Sequence, residues 1–203
     1  LVFGRTGQVA RELQHLAPVL ALGRDAAELA QPGACAAAIQ AHRPRAVINA
    51  AAYTAVDDAE TKTQSAKLLN AELPALLAEE TKQLGSWLIH YSTDYVFNGN
   101  GSTPYQEIDP TGPLNHYGRT KLQGEKAIVE QCDRWMIFRT QWVYSTRTKN
   151  FVQTIAHKAT ESTVLTVVDD QYGVPTSAAL IAQATATILA RLDRAHDLSK
   201  AGI

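Results

Sequence analysis

Short, unbroken apolar runs alternate along this chain with longer stretches whose apolar residues recur every three or four positions. "LVF" opens it, and "VLAL", "AVINAAA", "SWLIHYST" and "RWMIFRTQWVY" follow in turn. Each reads as a strand covered on both faces, because the apolar residues are not interrupted at every second position as in a half-exposed strand. Between them, "GQVARELQHLA", "GACAAAIQAHRP" and "SAKLLNAELPALLAEETKQLG" carry helical spacing, the last closed by Gly85. Another helix runs through "NHYGRTKLQGEKAIVE". This β-α-β-α order predicts an α/β fold, a Rossmann-like doubly wound parallel sheet with helices on both faces. Past Tyr144 the pattern loosens, with "NFVQTIAHKA" helical and "VLTVVDDQYGVPT" a strand leading into a loop. Residues 1–144 therefore read as a dinucleotide-binding domain. Residues 145–203 read as part of a smaller substrate-binding lobe, interleaved with the last sheet elements. Both ends of the chain read as unfinished elements, and the second lobe as truncated.

Composition changes this picture mainly by exclusion. The 203 residues are 45% hydrophobic with a net charge of −1, so no basic surplus marks a nucleic-acid or anionic-membrane partner. No apolar run approaches the length of a membrane span, and no signal peptide opens the chain. Two cysteines are too few for a disulfide framework and fit a reducing cytoplasm.

Candidate chemistry collects at the ends of the expected strands. "FGRTGQVA" sets Gly4 and Gly7 between the first strand and first helix, where backbone N–H groups and the positive helix end can meet a pyrophosphate. The second strand ends Gly23-Arg24-Asp25, without the carboxylate that usually accepts from the ribose of NAD, and Arg24 reads either as a contact for a 2′-phosphate or as a solvated loop charge. Ala50, Ala51 and Ala52 end the third strand and allow a flat cofactor to approach; close strand–helix packing would explain them equally. Ser92, Thr93 and Asp94 end the fourth, either as reactive groups at the sheet edge or as a cap. Tyr117 and Lys121, four apart, lie one turn apart on one helix face.

In this order, G-x-x-G, A-A-A, S-T-D and Y-x-x-x-K resemble the extended short-chain dehydrogenase/reductase superfamily. Within it, "GQVARELQ", "VINAAAYTAVDDAE", "IHYSTDYVFNGNG", "PLNHYGRTKLQGE", "FRTQWVY" and "DQYGVPT" are similar to the dTDP-4-dehydrorhamnose reductase family. The resemblance implies reduction of a dTDP-sugar C4 ketone by NADPH or NADH. It gives Tyr117 the role of proton donor, and gives Lys121 the nicotinamide ribose and the tuning of the phenol. Thr93 would hydrogen-bond the reacting oxygen, and Asp94 and Trp142 would contact the sugar. Gly7, Gln8 and Val9 match the family's pyrophosphate turn, and Ala52, Tyr53 and Thr54 its cofactor-facing third strand. Glu28 and Leu29 match a pair beside the adenine that is usually Asp-led. The resemblance also implies a homodimer with Mg2+ at its interface.

Three relatives of that superfamily stay open. A nucleotide-sugar 4,6-dehydratase would need a glutamate where Tyr95 stands. A 4-epimerase usually anchors its NAD with an acidic ribose residue, and none is visible. A regulatory subunit resembling that of methionine adenosyltransferase would bind without catalysing.

Overall fold

In the computed structural model, residues 1–194 and residue 202 are described, apart from the side chains of residues 32, 193 and 194. Five parallel strands form the central sheet in the order β2-β1-β3-β4-β5: β1 Val2–Phe3, β2 Ala21–Leu22, β3 Ala46–Asn49, β4 Trp87–Thr93 and β5 Trp135–Thr140. Gly202 forms an isolated parallel bridge to Met136 beside β5. The connections carry α1 (Gln8–Leu16), α2 (Pro32–His42), α3 (Val56–Ala59), α4 (Thr63–Lys67), α5 (Leu73–Leu84) and α6 (His116–Gln131). A turn of wider π-helix, Leu68–Glu72, joins α4 to α5. The doubly wound α/β fold expected from the pattern is the fold observed.

Alternation along the strands divides the core between the two faces. Phe3, Val47, Leu88 and Ile137 pack with Ile39 of α2, Leu73 and Leu77 of α5, and Ile128 of α6. Their neighbours Val2, Ile48 and Ile89 point the other way, to Ala10 and Leu13 of α1 and to Ala182 of α8 (Ala178–Arg194). Each fully buried Leu or Ile contributes roughly 1.5–3 kcal/mol, so both layers are needed to hold the sheet. Cys35 and Cys132 are free and buried. No helix among the described residues is long and apolar enough to cross a membrane.

Two expected elements differ. "RWMIFRTQWVY" is not one strand: it divides into β5 and a short β6 (Val143–Tyr144), which pairs in parallel with β7 (Thr176–Ser177) in a second sheet. The break falls at Trp142, whose φ of 45° lies in the left-handed region that ends extended pairing. "VLTVV" forms no strand, and Val164, Val167 and Val168 are exposed. Its β-branched residues satisfy the local preference for a strand but have no sheet edge to join. Upstream, α7 (Phe151–Glu161) is amphipathic yet has no buried residue.

Candidate active site

The candidate residues come from six separate stretches that follow the strands of the sheet. Gly4 follows β1 with φ of 96°, a conformation L side chains rarely adopt. It also passes so close to the next strand that a Cβ would stand 2.8 Å from the Ala50 carbonyl oxygen. Glycine is required there on both counts. Gly7 caps α1 with no side-chain cap, and no acidic residue occupies the helix's first turn. The first N–H groups of α1 are thus left to meet an anion, the arrangement that suits a coenzyme pyrophosphate. Val9 is turned into the core, and the Gln8 side chain donates to Val143 O at 3.0 Å and accepts from Asn150 at 3.3 Å. Gln8 therefore ties the turn to β6 and to Asn150 at the start of α7, and leaves its backbone for the anion.

After β2, Arg24 is exposed at the tip of the loop. Arg5, which the pattern along the chain did not single out, lies against Gly23 and pairs with Asp25 at 3.0 Å. Glu28 accepts from Ala30 N, and Leu29 packs on the core below. After β3, Ala52 and Tyr53 are half-buried and Thr54 is exposed. The Tyr53 backbone is clamped by Asn70, which accepts from its N–H at 2.9 Å and donates to its carbonyl at 3.1 Å.

Helix α6 is started and seated by identifiable contacts. Asn115 accepts from Gly118 N at 2.7 Å, a side-chain N-cap that fixes Tyr117 in the first turn. Gly124, further along, leaves no room for a Cβ against the Asn70 carbonyl, so the helix lies directly on the π-helical turn. Lys121 is held on this same seated face. Tyr117 packs edge-to-face on Tyr95, with centroids 5.6 Å apart. Behind the helix, Glu125 receives a two-pronged ion pair from Arg139 of β5, at 2.7 and 3.1 Å.

Thr93 and Asp94 end β4 beside the phenol. The Thr93 hydroxyl donates to Asp94 Oδ1 at 3.1 Å and accepts from Tyr95 N at 3.2 Å. Burial pushes the Tyr117 pKa up to about 12, with Thr93 pulling it down and Asp94 and Tyr95 pushing it further up. Burial likewise raises the Asp94 carboxyl, against hydrogen bonds led by Thr93. Gln141, in the amide orientation that satisfies both its ends, donates to Asp94 Oδ2 at 3.0 Å and accepts from Val174 N at 3.3 Å. That link brings the "DQYGVPT" loop to the site, with Trp142 beside it, 44% exposed.

Lys121 departs from its expected posture. Its Nζ is turned to His90 Nε2, 3.1 Å away, and donates to Tyr91 O at 2.6 Å. Burial lowers its pKa to about 8, against the pull of Glu125 one turn on. The phenol's pKa rises because burial outweighs the Thr93 hydrogen bond. Asn49, Asn70 and His90 escaped the sequence reading, since a polar residue inside an apolar run carries no periodic signal. Among the described residues, no group of three His, Cys, Asp or Glu side chains is gathered as a metal site.

The family model described as the RmlD substrate binding domain matches residues 1–202. The chain belongs to that family. Among curated RmlD-family relatives, dTDP-4-dehydrorhamnose reductase of Salmonella typhimurium is 47% identical over 194 residues, covering 92% of this chain and 65% of the relative. The chain thus spans somewhat less than two thirds of that relative's length. A crystal structure of the Clostridium acetobutylicum dTDP-4-dehydrorhamnose reductase superposes with a TM-score of 0.90 at 32% identity, covering 95% of this chain and 70% of that one. The Bacillus anthracis dTDP-4-dehydrorhamnose reductase, solved in complex with NADP, gives 0.89 at 30% identity, covering 93% and 69%.

Proposed function

We propose that this RmlD-family chain carries the coenzyme-binding and catalytic part of a dTDP-4-dehydrorhamnose reductase, converting dTDP-4-dehydro-L-rhamnose to dTDP-L-rhamnose at the expense of NADPH or NADH. The observation that carries the reading is the placement of Thr93 and Asp94 against the Tyr117 phenol, with Lys121 one turn on along α6, at the same carboxyl edge of the sheet from which the uncapped α1 starts. Likeness to relatives of that name supports the substrate class.

The bound nicotinamide coenzyme would supply a hydride to C4 of the sugar. Gly4 and the first N–H groups of α1 would hold its pyrophosphate, and Ala52, Tyr53 and Thr54 would line its approach. Arg24 and Arg5 would face the adenosine ribose, with Glu28 and Leu29 beside the adenine. Tyr117, protonated throughout the neutral range, would give its phenolic proton to the C4 oxygen as negative charge develops there. The alcohol formed is a far weaker acid than a phenol, so a raised tyrosine pKa does not prevent that transfer. Thr93 would orient the same oxygen by hydrogen bonding. Lys121 would hold the nicotinamide ribose, Asp94 would accept from a sugar hydroxyl, and Trp142 would offer its exposed ring face to the sugar. Residues 145–203 would contribute to the substrate lobe through α7 and the loop after it, whose apolar side chains are exposed.

A 4,6-dehydratase reading is disfavoured by Tyr95, whose ring packs on Tyr117 where an acid for water elimination would be needed. Incubating the protein with NADPH and the keto sugar, with chromatography of the sugar nucleotide, tests the proposal: dTDP-L-rhamnose is expected, and unchanged keto sugar refutes it.

A further inference from the structure

Beneath the candidate site lies a buried polar chain that ends on Lys121, and two of its members, Asn49 and His90, have no part in the proposed reaction. Asn49, at the end of β3, is 1% exposed, His90 in the middle of β4 is fully buried, and Lys121 is 1% exposed. Ala51 N donates to Asn49 Oδ1 at 3.2 Å. That bond fixes the amide orientation, because reversing it would set Nδ2 against another N–H donor. The Asn49 Nδ2 is therefore the atom 3.1 Å from His90 Nδ1, and Nδ1 must accept. A neutral imidazole that accepts at Nδ1 carries its proton at Nε2. Burial holds the His90 pKa well below its ordinary value, and a charged Lys121 would lower it further, so the ring is neutral in either state of the amine. Its Nε2–H thus points at Lys121 Nζ, 3.1 Å away. An ammonium has three donors and no lone pair, and would confront this N–H donor to donor. A neutral amine accepts from Nε2–H while still donating to Tyr91 O.

We propose that Asn49 and His90 are positioning residues that select the deprotonated amine of Lys121, so that its Nζ rests as an acceptor and not as a permanent cation. Each of the four contacts in the Ala51–Asn49–His90–Lys121–Tyr91 chain pairs a donor with an acceptor only when Nζ carries a lone pair. Other groups around the amine act on the same balance. From α6, Glu125 favours the charged form, but Arg139 of β5 holds that carboxylate in its own ion pair. Tyr117, one turn before, remains a neutral phenol with its raised pKa. From β4, Tyr91 offers its carbonyl, while its phenol is bonded to Thr185. Any consequence for turnover rests on the reductase reading; the protonation states do not.

The test therefore reads the groups directly. Long-range 1H–15N NMR of the histidine rings distinguishes the two tautomers, and side-chain 15N shifts distinguish –NH2 from –NH3+. The His90 and Lys121 signals are assigned by their loss in His90→Gln and Lys121→Met. The wild-type protein should show His90 protonated at Nε2 and an amine that titrates near pH 8. Asn49→Asp keeps an acceptor for Ala51 N–H but accepts from Nδ1–H, turning Nε2 into an acceptor that welcomes an ammonium. In that variant His90 should switch tautomer and the proton affinity of Lys121 should rise at least about tenfold, one pH unit. Asn49→Leu, which removes the amide altogether, should release the Nε2 tautomer if the aspartate variant does not fold. A wild-type His90 protonated at Nδ1, or a Lys121 that stays charged to the ordinary lysine range, overturns the inference. Absence of reductase activity alongside the expected tautomer would refute only the proposed function.

Discussion

Lys121 Nζ donates to the carbonyl oxygen of Tyr91 at 2.6 Å, two residues before Thr93 on the same strand. This bond fastens α6 to β4, so the helix that carries Tyr117 and the strand end that carries Thr93 and Asp94 are placed relative to one another by a buried contact.

That buried amine has a thermodynamic signature. Its folded-state pKa of about 8 lies below the roughly 10.4 of a free lysine. Between those values the unfolded chain binds a proton that the folded chain does not, so stability rises with pH across that window and is flat below it. Lys121→Met should abolish the rise. Urea midpoints at intervals from about pH 7 to 10 check this; a wild-type curve parallel to that of the variant would show that the amine titrates normally.

Tyr117→Phe removes one oxygen while keeping the ring against Tyr95. Under the proposed mechanism it should lower kcat by about 100- to 10,000-fold, the usual reach of general acid catalysis. The coenzyme dissociation constant should stay close to that of the wild type. A variant retaining most of its turnover would return Tyr117 to a packing role.

Two arginines, Arg24 and Arg5, stand at the end of β2, and under the proposed function both should matter for a 2′-phosphate. Asp25 already engages Arg5 in an exposed ion pair, a contact worth about 0–1 kcal/mol, so a phosphate can readily recruit it. Arg24→Ala and Arg5→Ala should each weaken NADPH more than NADH, and the double variant should do so most. Dissociation constants for both coenzymes decide the matter; an unaltered NADPH/NADH ratio in the double variant would make both arginines bystanders.

Arg139 is a structural prediction of the same site. It reaches Glu125 with two bonds, donates to Glu107 O and lies 5.0 Å over the Phe97 ring. Arg139→Met would leave Glu125, 3% exposed, charged and unpaired against the back of α6. Loss of one partner of a buried pair costs about 3–5 kcal/mol. Chemical denaturation should find a loss of that size, and Glu125→Gln with Arg139→Met should recover part of it.

The sheet and the sheet-edge motifs were legible because both are local statements. Continuous apolar runs such as "SWLIHYST" announce a strand covered on two faces, and glycine at a strand–helix junction announces a turn. What decides the inner site was not legible, because it depends on partners far apart in the chain. His90 looked like an interruption in an apolar strand, and only pairing of β4 with β3, and packing of α6, brings Asn49 and Lys121 to its two nitrogens. Asn70 looked like one polar position of a long helix, yet it lies in the π-helical turn and clamps Tyr53. The same limit explains "VLTVV": strand preference was readable, but the missing sheet edge was not. Spacing placed Lys121 on the same helix face as Tyr117, and the side chain's choice of His90 and Tyr91 could come only from the fold.

The central claim is hydride delivery to C4 of a dTDP-linked keto sugar with Tyr117 as proton donor. Its most direct measurement uses NADPH deuterated at the transferable position of the nicotinamide, with dTDP-4-dehydro-L-rhamnose as substrate and NMR of the sugar product. Deuterium should appear at C4 of dTDP-L-rhamnose, in step with coenzyme oxidation, and both should collapse together in Tyr117→Phe. Coenzyme binding without oxidation, or label at any other carbon, would contradict the account.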